Sequence, residues 1–190
     1  AFSLNVLKKI IKDYHPQYTN DDLLALYSFS GGVPKYVELF CDNRVLTVDG
    51  MIDFMVRDNS PFTDEGKNLL IEEFGKNYGT YFSILSAISG GYNTQTEIEA
   101  LLGEKSLGGY LKRLIEDYNI VVRQRPVFSK EGSQTVRYGI CDNFIHFWFN
   151  YFDRNRSLIE IKNFIGLRKL IKADYPTYSG KILEQYFKQK

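Results

Sequence analysis

The chain has 190 residues, 44% of them hydrophobic and 25% charged, with a formal net charge of +1. That is apolar material for one large or two small cores, and the near-balance of charge gives no bulk attraction to a polyanion. No apolar run approaches the ~18 residues of a membrane-spanning helix and the first residues lack the basic-then-apolar order of a secretory signal, which points to a cytoplasmic protein with no membrane partner.

Residues 3–14 predict an amphipathic helix: Ser3 suits a cap, Leu4, Leu7, Ile10 and Ile11 share one side, and Lys8, Lys9 and Lys12 the other. Pro16 ends it. Residues 20–30 repeat the pattern, with Asp21 and Asp22 at the positive end of the helix dipole and Leu23, Leu24, Leu26 and Tyr27 inward. Gly31 and Gly32 make a sharp turn, and Pro34 fits the first turn of a third helix carrying Tyr36, Val37, Leu39 and Phe40. A glycine pair ahead of a helix start also offers backbone amides to a phosphate or an adenine, although Gly-x-Pro turns are common connectors. A fourth helix starts near Thr47, and Asp58-Asn59-Ser60-Pro61 breaks it. Residues 1–60 thus read as a small helical bundle. A helix over about 63–76, with Leu69, Leu70, Ile71 and Phe74 apolar, bridges the interval 61–80.

Residues 81–140 carry three short helical patterns and then two alternating strands, the order of a winged helix. The first pattern stops at Gly90-Gly91. The second is capped by Thr94 or Thr96, turns Ile98, Leu101 and Leu102 inward and ends at Gly103. The third starts at Ser106, with Leu107, Leu111, Leu114 and Ile115 on one stripe. From Asn119 the period changes to two, a polar tip follows at 129–133, and 135–140 returns as the partner strand. A DNA reader needs base-contacting side chains in the first turn of its third helix, where this chain has Leu107, Gly108 and Gly109. Direct readout is therefore poorly supported, and Lys112, Arg113, Arg123 and Arg125 remain as candidate phosphate contacts, nearly cancelled by neighbouring acids.

Residues 141–190 open with the densest aromatic run of the chain, CDNFIHFWFNYF, in which Asp142 can cap a helix that is apolar nearly all round. Gly180 precedes a last helical pattern with Ile182, Leu183, Tyr186 and Phe187 apolar and no partner downstream, which reads as a chain cut from something longer. Formal charge runs from −4 over residues 1–80 through +1 over 81–140 to +4 over 141–190. Two cysteines and two histidines are too few and scattered for a structural metal or a disulfide framework. The sequence carries no phosphate-cradling glycine loop ending in Lys-Ser/Thr, no His-Glu-x-x-His and no Gly-x-Ser-x-Gly, and its acidic pairs lie side by side on helices, facing different directions. No catalytic centre is legible.

Three stretches together resemble the back half of archaeal and bacterial AAA-type ATPases of the signal-transduction kind, the DEXX-box ATPases. LYSFSGGVPKYVELF resembles the end of that family's lid, LGGYLKRLIEDYNIVVRQRPV the third helix and wing entry of the winged helix after it, and RYGICDNFIHFWFNYF with YSGKILEQYF the opening of its C-terminal domain of uncertain function. The resemblance implies a mainly α chain divided into a lid subdomain at 1–60, a bridging helix at 61–80, a winged helix at 81–140 and an aromatic-rich start of a truncated C-terminal domain at 141–190. It implies that Gly32 and Pro34 lie over ATP, bound with Mg by an N-terminal ATPase core outside this chain, and that the winged helix relays the nucleotide state to an effector protein or duplex DNA. Glu184 matches an early acidic residue of a nuclease-like helix. A winged-helix transcriptional regulator that binds DNA is the competing expectation.

Overall fold

The computed structural model describes residues 1–124 and 136–188, and the chain is mainly α. It divides into two compact units, Ala1–Asp64 with Arg154–Lys190, and Glu65–Asp153. The second unit is thus inserted in the sequence of the first.

In the first unit the helix ends fall where local chemistry puts them. Helix α1 spans Leu4–Tyr14, with Leu7 and Ile11 fully buried; Ser3 occupies its cap position, but the hydroxyl accepts no capping bond. Helix α2 spans Asn20–Ser30 and opens with a reciprocal capping box between Thr19 and Asp22. Asp22 does more than cap. It is 6% exposed, and while Oδ2 accepts from the Thr19 amide and hydroxyl, Oδ1 accepts at 2.8 Å from the Val48 amide at the start of α4, Val48–Met55. One carboxylate therefore fastens two helix N-termini, satisfying donors that each helix would otherwise leave open. Helix α3, Pro34–Asp42, carries proline at its first position as expected. Its Phe40 ring stacks on Phe62 at 5.4 Å, and Phe54 meets both edge-on at 6.0 to 6.1 Å.

The short helix α10, Arg156–Glu160, leads into α11, Phe164–Lys188. The sequence suggested a fresh helical start after Gly180, yet α11 runs unbroken through both Pro176 and Gly180. The reason lies in its buried stripe, Leu167, Ile171, Tyr175, Tyr178 and Ile182, whose spacing of three and four residues continues straight across the proline. Interior proline costs ~3 kcal/mol, while each large apolar side chain so buried contributes ~1.5–3 kcal/mol, so packing wins. The stripe meets α2 and α4: Tyr175 lies 5.6 Å from the Phe29 ring and its hydroxyl donates to the Asp21 carbonyl, Tyr186 meets Tyr27 edge-on, and Lys172 pairs with Asp49 and Asp53. The buried stripe thus finds its partners upstream in the sequence, while Leu183 and Phe187 stay exposed.

In the second unit, the expected bridging helix is followed by the expected first helix of the winged-helix order, which starts at Tyr78 rather than at 81. Helix α5, Glu65–Phe74, gives way at Gly75, where φ is +52, to a single 3-10 turn, and α6 runs from Tyr78 to Ser89. Helix α7, Gln95–Leu102, has the Thr94–Glu97 capping box and ends on left-handed Gly103. Helix α8 is Gly108–Glu116, and strands β1, Val121–Gln124, and β2, Arg137–Ile140, pair antiparallel with Val121 opposite Ile140. The Tyr138 amide also donates to the Asn93 carbonyl ahead of α7. This is the element order of a winged helix. Of the residues expected inward, Leu107, Leu111, Leu114 and Ile98 are buried, but Leu101 is 47% exposed, because the short α7 turns only Ile98 into the core. The polar wing tip lies outside the described residues.

The aromatic run lies wholly in the second unit, so it is the expected 141–190 segment that divides between the units. Asp142 caps helix α9, Asn143–Trp148, through the Ile145 amide, and a π turn, Phe149–Asp153, completes the segment; both belong with the winged helix, whereas residues from 154 onward join the first unit. Phe144, Phe147, Trp148, Phe149, Tyr151 and Phe152 are all buried. Gly66 makes this possible, because a β-carbon there would overlap the Trp148 indole. We expect Gly66→Ala to cost about 1–3 kcal/mol, the range for overpacking a filled core. Trp148 is the only tryptophan, so a shift of its emission maximum together with an earlier urea midpoint checks this; unaltered emission and midpoint would refute it.

Candidate functional site

The Gly31–Pro34 turn is fixed by its own backbone. Gly31 and Gly32 have φ of +60 and +73, the left-handed region that glycine tolerates without a β-carbon penalty. The Gly31 amide donates to Tyr27, the Gly32 amide to Ser30 Oγ at 3.0 Å and the Val33 amide to Ser30, while the Gly32 carbonyl accepts from Phe2 at 2.6 Å. Sequence reasoning left these amides available to a phosphate or an adenine. In the folded turn all three are spent on the protein.

Pro34 is exposed. It lines a cleft of about 310 Å³ with Phe2, Ile10, Tyr14 and Val37, rimmed by Glu38 and Asp42, with Cys41 at its side. A planar or apolar group suits these walls, and two carboxylates without a lining cation disfavour a phosphate. Burial, and then the charge of Asp42, push the Cys41 thiol up to about 11, so it is protonated at neutral pH and no nucleophile. Glu184 is on the exposed side of α11, and no group of side chains able to hold a metal occurs among the described residues.

Around the winged helix, the four candidate phosphate contacts part company. Lys112 is exposed and pairs with Glu116 at 3.7 Å, one turn on. Arg123 is exposed on β1, opposite Tyr138. Arg125 lies outside the described residues. Arg113 alone enters a cleft, of about 270 Å³, together with Asn77, Ser106, Gly109 and Tyr110. Leu107, expected where a DNA reader would touch bases, is buried at 2% exposure and belongs to the core.

Behind that cleft is an aromatic knot of Phe74, Tyr81, Tyr110 and Tyr118, whose rings meet at 4.2 to 5.6 Å. Tyr81 is 1% exposed, and its hydroxyl meets no group in hydrogen-bond geometry. Burial raises its pKa, while the adjacent Arg113 guanidinium acts in the opposite direction. Sequence reading missed this hydroxyl, since nothing local distinguishes Tyr81 from the other core tyrosines. On the far side of the α8 start, Glu99 accepts from the Leu107 amide at 2.9 Å and from Gln95 at 2.7 Å. The Gln95 bond and then the Leu107 amide hold that carboxyl below its ordinary pKa.

No family profile and no solved structure matches the chain. An uncharacterized protein of Methanocaldococcus jannaschii is 33% identical over 190 residues, covering 95% of this chain and 40% of the relative. The chain therefore spans about 40% of the length of the relative it matches. No helix among the described residues is long and apolar enough to cross a membrane.

Proposed function

We propose that this chain is the regulatory portion of a P-loop ATPase. ATP, with Mg, is held by an ATPase core encoded upstream, the Gly32–Pro34 turn closes over the nucleotide, and the winged helix relays its state. The observation that carries this reading is the rigid glycine turn that holds Pro34 at the surface beside an apolar cleft. With the turn amides already bonded, the contact runs through the proline ring and the cleft wall, on the base side of the nucleotide rather than its phosphates.

Pro34 is the residue to test, because it is exposed and its removal leaves the core intact. In the protein carrying its upstream region, Pro34→Ala is expected to weaken ATP binding about fivefold, the loss of roughly 1 kcal/mol of apolar contact. Equal ATP affinity and turnover in the variant would reject the reading. DNA binding by the winged helix is the second reading, favoured by the exposed Lys112 and Arg123 and by Arg113 in its cleft. It requires salt-dependent duplex binding that weakens in Arg113→Ala and Arg123→Ala; a flat titration at low salt would dispose of it.

A further inference from the structure

We propose that the cleft at the start of α8 is a phosphoryl-binding site built from Asn77, Ser106, Gly109, Tyr110 and Arg113. Gly109, Tyr110 and Arg113 come from α8, and Ser106, in the left-handed turn two residues before the helix with φ of +69, completes the lining with Asn77. Helical side chains lean toward the N-terminus, which carries the Arg113 guanidinium back over Gly109 toward the open amides of the first turn. The lining residues supply an amide, two hydroxyls, a guanidinium and backbone N–H groups, and no carboxylate is among them. Donors converging beside a guanidinium, with no carboxylate in the lining, suit an oxyanion.

Two further observations point the same way. The Tyr81 hydroxyl, buried behind the cleft, makes no bond of good geometry, and the group that acts on it is the Arg113 guanidinium. Because Arg113 can only donate to it, the hydroxyl's own proton finds no acceptor among the described residues. The α8 start also already draws one carboxylate, Glu99, onto the Leu107 amide. Glu99 and Gln95 occupy the Gly108 side, where a β-carbon would lie 3.5 Å from Gln95, whereas nothing lies within 4 Å of one at Gly109. The two glycines point about 100° apart around the helix, so the second side stands open. A volume of about 270 Å³ exceeds the needs of a bare phosphate. It suits either a small phosphomonoester or one phosphodiester of a nucleic-acid backbone, and the site holds whichever reading of the overall function is correct.

The test is titration of the chain with inorganic phosphate at constant ionic strength, chloride serving as the control, read by backbone amide shifts of 106–113. Saturable shifts are expected for phosphate and not for chloride. Gly109→Asp should abolish them: an acidic residue suits a helix first turn, the position has room, and the fold should be kept. Arg113→Gln should weaken binding tenfold or more. A short DNA duplex then separates the sources. If it displaces phosphate and its own binding is lost in Gly109→Asp, the ligand is a backbone phosphodiester; if it does neither, the ligand is a free phosphomonoester. Phosphate shifts that fail to saturate, or that persist in Gly109→Asp, overturn the site whatever the duplex does.

Discussion

Replacing Gly32 with alanine should destabilise the first unit by roughly 2–5 kcal/mol. Left-handed backbone costs an alanine ~1–2 kcal/mol, and a β-carbon at this position would overlap the Phe2 carbonyl oxygen, adding an overpacking cost of about 1–3 kcal/mol. Relief requires the chain before α1 to move away, which breaks the bond from the Phe2 amide to the Gly32 carbonyl. Gly103→Ala is the control. It has nearly the same φ, +65, but nothing within 4 Å of its β-carbon, so it should lose only the ~1–2 kcal/mol of backbone strain. Urea unfolding of both variants measures the difference; equal losses would show that the approach of Phe2 is immaterial. A consequence for function follows. Gly32 variants confound nucleotide contact with folding, and Pro34 does not.

Asp22→Ala is expected to cost about 2–4 kcal/mol. The capping box of α2 is worth ~1 kcal/mol, and the Val48 amide, bonded to Asp22 Oδ1 across 26 residues of sequence, is left without its acceptor at a further ~1–3 kcal/mol. Asp22→Asn should fall between, since a carboxamide oxygen can keep Val48 but its nitrogen cannot accept from Thr19. Urea unfolding gives the totals, and hydrogen exchange at Val48 reports the long-range half. A Val48 amide as protected in Asp22→Ala as in the parent would show that the α4 cap does not depend on this carboxylate.

The cap at Thr94, the acidic first turn of α2, the proline at position 34, the glycine ends at Gly31 and Gly103, and the alternation around β1 and β2 all express forces that act within about four residues. These were legible in the sequence, and with them the mainly α class and the winged-helix order. What reading along the chain could not determine is which stripe meets which. The continuity of α11 across Pro176, its place against α2 and α4, the second duty of Asp22 and the meeting of Asn77 with Ser106, Gly109 and Arg113 in one cleft all depend on residues far apart in sequence. A cap or a turn is decided by its own few bonds. The partner of an apolar face, and the walls of a cleft, are decided only when the whole chain competes for burial, and that competition is settled in three dimensions.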